Sequence, residues 1–479
     1  MHRSSWPLVA ALACGPNPAD PTTGTTTTAE SSSSVPTSSS APDTTTDAID
    51  LPADDTEALP ECVLDHTCAR IDLLFVIDNS PGMGPAQQRL AAEMAPFLES
   101  LLNLFLVLDG KVHPDLNILV TTTDVGHPLC EPFNKPDYTP ALGAPTTTPC
   151  TDRLARFAGL PEVCTASCPP GQAAAPADPF IHLDADSHNI VGFTGEGDPV
   201  AAALACVIPQ GVDGCAMESP LEAMLLALDP EQPWNQGPNP FLRRAGVLVV
   251  VILTDAPDCS VADHKYFDPL GKDDPEVNQY WEDLPDMPGV KGDPTRAICW
   301  NSAMTCDGPD QDGIYADCHT VDNGVLHPVD RYTSLLEDTI PAAYDKEVVM
   351  VLLTGVPPVA AHNPVPPFQP VEGGILDLVH RTWTADDILP GDPMTAPEKE
   401  FEFGIGPGCS DPATGQALPP GRLQPVCQSL DRVDDPSTPE ADETAIRCCI
   451  ESFCDPPASH PLDCLTGILL PGPSDETPG

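Results

Sequence analysis

The chain has 479 residues, of which 41% are hydrophobic, more than one small domain needs and enough for a sizeable buried core. Its 72 acidic residues outnumber 20 basic ones for a net charge of −52, so its field repels phosphate backbones and no nucleic-acid partner is expected. That charge either serves solubility alone or draws divalent cations. With 61 prolines and 5% aromatic residues, much of the chain must be loop, and long irregular insertions are expected.

Residues 1–13 read as an export signal. His2 and Arg3 precede an apolar run from Trp6 to Leu12, which is too short to span a bilayer. No later run, not even Ala245 to Leu253, reaches the roughly 18 apolar residues of a membrane helix. The junction Ala11-Leu12-Ala13-Cys14 resembles the lipobox of bacterial lipoproteins, with Ala11 where that family usually has Leu. The resemblance implies that Cys14 is lipidated and becomes the mature N-terminus; the alternative is an ordinary signal peptide cleaved near Ala13. Gly15 after the cysteine resembles an outer-membrane sorting signal, so the expected location is the cell envelope, anchored in the outer membrane or at the cell surface. The 19 cysteines agree, because lipid on Cys14 leaves the others free to pair.

Residues 14–60 are Ser, Thr, Pro, Ala and Asp with almost nothing apolar, and read as a disordered tether. A coil of this length holds a domain on the order of 40 Å from its anchor. Folded sequence is expected from about residue 61. Ile71 to Asp78 is a nearly continuous apolar run ending in an acid, as in a strand buried on both faces. Ala86 to Leu108 has helical spacing, with Leu90, Met94, Phe97, Leu98, Leu101 and Leu102 on one face. A second strand runs from Leu116 through Val120 towards Asp124. From about 126 to 198 periodicity is lost and Cys130, Cys150, Cys164 and Cys168 mark a disulfide-held insertion.

Helical pattern returns at Pro199 to Val207 and Pro220 to Leu228, followed by the strongest strand, Gly246 to Asp255. A second insertion, about 256–329, contains Cys259, Cys299, Cys306 and Cys318. Helix Tyr332 to Ile340, strand Glu347 to Leu353 and helix Ile375 to Trp383 continue the alternation. Residues 385–479 add a strand at Phe401 to Ile405 and a cysteine-rich region that completes the domain of residues 61–384 to about residue 455, then a disordered tail. The expected fold class is α/β: a doubly wound, mostly parallel sheet with disulfide-rich insertions.

Ligands of such sheets sit beyond the carboxyl ends of the strands. Asp78 and Asp255 stand at two of those ends, where carboxylate and hydroxyl oxygens suit a hard cation. Phe75-Val76-Ile77-Asp78-Asn79-Ser80-Pro81-Gly82 resembles the metal-binding loop of von Willebrand factor type A domains, and Leu253-Thr254-Asp255 resembles their later metal-site aspartate. The resemblance covers roughly Ile71 to Trp383 without the insertions. It implies a divalent metal, Mg or Ca, held by Asp78, Ser80 and Asp255, with a partner's acidic group completing the shell. Two positions depart from the family: Gly82 replaces a serine, and the loop before Pro220 has no Thr, so Glu218 or Ser219 would stand in. The alternative is a type A fold without its ion, in which Asp78 and Asp255 cap helices and turns.

Acids at alternate positions before Gly313 resemble a calcium loop, with Asp307, Asp310, Asp312 and Asp317 as oxygen donors. The alternative is an acidic surface loop closed by a Cys306–Cys318 disulfide. Catalytic patterns are missing: the sequence has no H-E-x-x-H, no G-x-S-x-G and no phosphate-binding loop. The expected function is therefore non-enzymatic, an envelope adhesion module that binds a protein or glycan ligand. A metal-free scaffold lipoprotein and an enzyme with a site built from the insertions are the other readings.

Overall fold

The computed structural model describes residues 68–107, 113–135, 137–168, 174–432, 445–455 and 462–469. The signal segment, Cys14, the tether and the chain after residue 469 lie outside the described residues; the chain after about 455, expected as a disordered tail, instead contains a helix at Asp463–Leu469, because the Cys449–Cys464 disulfide and the burial of Leu465 hold it on the core.

Six strands form the central sheet: β1 (Cys68–Ile77), β2 (His113–Thr122), β3 (Ile181–Leu183), β4 (Val247–Leu253), β5 (Glu347–Thr354) and β6 (Cys448–Ser452). Their spatial order is β3-β2-β1-β4-β5-β6, parallel throughout except for β3, which runs antiparallel along β2. The chain thus winds outward in one direction from β1 and then in the other from β4, leaving a crevice between the carboxyl ends of these two strands.

Side chains alternate across the sheet and need cover on both faces. Leu73, Phe75 and Ile77 pack against helices α1 (Gly84–Val107) and α2 (Pro199–Val207), whereas Leu74 and Val76 pack under helix α3 (Pro220–Leu228). Fully burying a side chain of this size contributes about 1.5–3 kcal/mol. In α1 the stripe Leu90, Met94, Phe97, Leu98 and Leu101 is buried. Its Pro96 is exposed, so the carbonyl that loses a helical donor there, that of the exposed Ala92, faces water. Asp198 caps α2, accepting from the amides of Val200 (2.7 Å) and Ala201 (2.9 Å) ahead of a favourable Pro199.

The second insertion has its own core of Phe267, Trp281, Ile298 and Val325 around helix α4 (Ala297–Asn301). After it, α5 is a continuous helix made of Asp330–Ser334, a π-helical stretch Leu335–Thr339 and Ile340–Tyr344.

Two expected elements are replaced. Residues 375–383 are not a helix: a short 3-10 turn at Gly374–Asp377 gives way to extended chain. Leu376 and Val379 face solvent, and the backbone bonds sideways instead, with Tyr315 N donating to His380 O and Gly406 N to Arg381 O. Phe401 to Ile405 is not a strand either, because helix α6 (Ala396–Phe403) claims it. Thr395 and Glu398 form a reciprocal capping box at its start and Gly404, at φ +72°, ends it, so these local signals override the alternation of Phe and Glu.

The last strand is β6, held on both faces by successive cysteines. Cys448 bonds Cys427 of α7 (Leu423–Gln428), and Cys449 bonds Cys464 of α8 (Asp463–Leu469). In all, eight disulfides are formed among the described residues, including the expected Cys306–Cys318. Such a density of disulfides belongs to an extracellular or other oxidising compartment. No described helix is long and apolar enough to cross a membrane.

Candidate functional site

β1 and β4 run in register, Ile77 beside Leu253, so the residues that follow them emerge side by side. The Asp78 amide donates to Leu253 O (2.9 Å), and the buried Asp78 carboxylate accepts from the Ser80 amide (2.8 Å) and the Thr254 hydroxyl (2.7 Å). Gln87 of α1, fully buried, locks this loop: its amide nitrogen donates to Asp78 O (2.7 Å) and Gly211 O (2.8 Å), and its oxygen accepts from the Gln210 amide.

Glu218 arrives from the loop before α3 and is 1% exposed. One carboxylate oxygen accepts from the Thr123 hydroxyl just past β2, and the other, Oε1, has no protein partner. Burial first, and then the charge of Asp78, push its pKa well above the usual carboxylate range, with Asp124 and Asp255 adding to the effect. Asp255, partly buried, is raised by burial and then by Asp78, while Arg296 and Lys399 oppose the shift. Asp78 itself is raised by burial. Three acids from three loops therefore press their charges on one another in a space that disfavours charge.

Asp124, after β2, joins the same cluster. It is buried and accepts from the Cys215 amide (3.0 Å), the Gly126 amide (2.8 Å) and the Tyr138 hydroxyl. Two disulfides fix the surrounding loops: Cys130–Cys215 ties the first insertion to the loop carrying Glu218, and Cys259–Cys299 ties the chain after Asp255 to α4.

The structure thus brings Asp78, Ser80, Glu218 and Asp255 to one crevice, and adds Asp124, Thr123 and Thr254. Ser219 points elsewhere: its hydroxyl donates to Cys259 O (2.7 Å). Nor does it cap α3, whose first amides bond Asp258 and Ser260 instead. Gly82 has φ +115°, and a Cβ there would lie 3.7 Å from Asp255 Oδ2. A serine at this position has room but not the backbone conformation, which accounts for the glycine there.

The acidic segment 307–317 is not gathered inward. Asp307, Asp310, Asp312 and Asp317 are all exposed, and Asp310 spends one oxygen on the amides of Asp312 (2.9 Å) and Ile314 (3.0 Å) in a local turn. Cys150, Cys164 and Cys168 lie within 4.8 Å of one another, but as members of two disulfides they have no thiolate for a metal.

Beside the loops that carry the acid cluster lies a cleft of about 730 Å³ lined by Gly82, Gly214, Cys215, Met217 and Arg296, with Leu129, Leu160 and Val212 as an apolar wall. Lys135 and Arg296 stand at its rim, paired with Asp213 and Glu402. A cavity of similar size, about 760 Å³, sits at the opposite, amino end of β1 and β2, where Arg70 and Arg243 are already bound to Asp115. The cleft at the carboxyl ends is the better candidate, because it borders the loops that carry the acid cluster, where Glu218 Oε1 is an unmet acceptor. No family model matches the sequence and no curated protein matches it, so the chemistry of this site rests on its geometry.

Proposed function

We propose that the chain is a non-enzymatic binding module of the cell envelope that captures a protein or glycan ligand in the cleft beside the Asp78 loop, using a divalent cation, Mg or Ca, on the acid cluster. The observation that carries this reading is Glu218 Oε1, a buried carboxylate oxygen without a donor, among the carboxylates of Asp78, Asp124 and Asp255. The donor set fits a hard ion: every group is a carboxylate or hydroxyl oxygen, and a cation relieves both the repulsion and the unmet acceptor. Asp78, Ser80, Glu218 and Asp255 would hold it. The bound ion would supply positive charge for an acidic or hydroxylated ligand group.

The resemblance to type A domains supports the same placement. Lipidation at Cys14 would tether the module to the outer membrane, and Cys14→Ser is expected to move the protein from the membrane fraction to the soluble one.

The test of the ion is calorimetric titration of the purified protein with calcium and with magnesium. One equivalent should bind the native protein, and Asp78→Ala should lose at least about tenfold in affinity by removing one charged donor. Native and variant protein giving the same isotherm would overturn the reading.

A specific observation favours a cation-free scaffold as the second reading. Asp78 already has two hydrogen-bond donors, and Arg296 and Lys399 place positive charge near Asp255. Absence of any calcium or magnesium binding would decide for it.

A further inference from the structure

The cavity of about 760 Å³ at the amino ends of β1 and β2 has two chemically different sides. On one stands half-buried Trp234, whose Nε1 donates to Ala227 O (2.8 Å). The one polar atom of the indole is thus satisfied inside the protein, and what the ring offers a ligand is aromatic carbon. Buried Asn235 holds this segment: its amide nitrogen donates to Ala227 O (2.9 Å) and Asp229 O (2.8 Å), and its oxygen accepts from the Leu242 amide (3.2 Å). A ring fixed before any ligand arrives needs no further ordering on binding. The other side carries polar groups with capacity left. Asp178 Oδ2 accepts from the Asn189 side-chain amide (3.2 Å), while its Oδ1 has no protein partner among the described residues. The exposed side chains of Asp186 and Asn239 line the same cavity and make no hydrogen bond among the described residues. Arg70 and Arg243 also line it, but Asp115 binds both, and each donates to a backbone carbonyl as well, that of Arg244 and that of Ile71.

We propose that this cavity is a second binding site, independent of the acid cluster at the opposite end of the sheet, and that it takes a neutral saccharide. A sugar ring carries what the two sides call for: a face of C–H groups that packs on the indole, and hydroxyls that donate to Asp178 and Asp186 and accept from the Asn239 amide. An anionic ligand gains little from arginines that Asp115 already neutralises, and it meets the repulsion of the two free acids. A cationic ligand gains little either, because both of those acids are exposed and charge pairs in water are weak. The volume lies within the range of about 300–1,000 Å³ that ligand pockets occupy.

The experiment is calorimetric titration of the full chain, with EDTA present, using three neutral sugars: maltohexaose, cellohexaose and chitohexaose. At least one is expected to bind, and Trp234→Ala to weaken it by about tenfold or more through loss of the stacking surface. Asp178→Ala is expected to weaken it too; this residue is exposed, so the variant decides alone should Trp234→Ala not fold. Asp78→Ala should bind as the native protein does, which separates failure here from failure of the cation site. No binding of any of the three at millimolar concentration, or binding unchanged in both Trp234→Ala and Asp178→Ala, would overturn the proposal. A sugar that binds only with calcium or magnesium and is lost in Asp78→Ala belongs to the acid cluster and overturns it as well.

Discussion

In the presence of a chelator the protein should lose stability as pH rises from the ordinary carboxylate range, near 4, towards 9, and saturating calcium or magnesium should restore what is lost. The sign follows from the direction of the shifts. Asp78, Glu218 and Asp255 have folded pKa values raised by burial, and for Glu218 and Asp255 by the charge of Asp78 as well. The folded chain then holds protons that the unfolded chain has released. Its stability from these groups is complete below their unfolded pKa values and disappears as pH climbs through the folded ones.

Each retained proton changes the unfolding free energy by about 1.4 kcal/mol per pH unit. Two further acids act in the same direction and extend the window upward: half-buried Glu400 is pushed to about 7 and buried Glu451 to about 9, both chiefly by desolvation. A cation on the cluster displaces protons from it, so its stabilising effect must grow with pH. At a hundredfold excess over its Kd the ion adds about 2.7 kcal/mol. Urea unfolding at a series of pH values, with disulfides intact, should therefore give curves that coincide near pH 4 and separate towards pH 8. Asp78→Ala should erase the separation. Superimposable curves with and without the ion would show that the acids stay protonated and that no cation belongs there.

How much of this was legible in the sequence depends on how local each signal is. β1 and β4 declare themselves as long apolar runs ending in acids, and α2 and α3 have the bounds read from their sequence because a proline opens each. β3 carries no such mark. Its three residues lie in an aperiodic insertion and become a strand only by pairing with β2. β6 is hidden for the same reason, and the more regular Phe401 to Ile405 drew the assignment although its caps make it helical. At the site, Asp124 could have been found by the rule that selected Asp78 and Asp255, an acid directly past a parallel strand. Gln87 and Tyr138 had no comparable signal, since their roles depend on loops that meet only in three dimensions.

Asp72 lies within the apolar run of β1, where the period of the strand offers no reason for an acid. The structure supplies one at the amino end of the sheet. Its fully buried carboxylate pairs with Lys346 (2.8 Å) and Arg243 (2.7 Å), and also accepts from the Arg243 amide (2.9 Å). Arg243 bridges onward to Asp115, which binds Arg70, so five charged groups join β1, β2 and the segments leading into β4 and β5. Lys346, with a side chain 0% exposed, depends on Asp72 for its compensating charge; its other acceptor among the described residues is Ala245 O (3.0 Å). Removing one partner of such a pair costs more than the pair itself contributes, because the other charge is left without water or counter-ion. Asp72→Ala is therefore expected to lose about 3–5 kcal/mol of stability. The loss should be largest near neutral pH and shrink as pH rises, because burial already lowers the pKa of Lys346 and the variant removes the charge that opposes this. Replacing both partners, Asp72→Leu with Lys346→Met, should recover most of the loss by leaving no stranded charge. Chemical unfolding of the two single variants and the double variant measures the coupling directly. A single Asp72→Ala change costing under about 1 kcal/mol, or a double variant no better than either single one, would mean that water reaches Lys346 and that the network does not hold the base of the sheet.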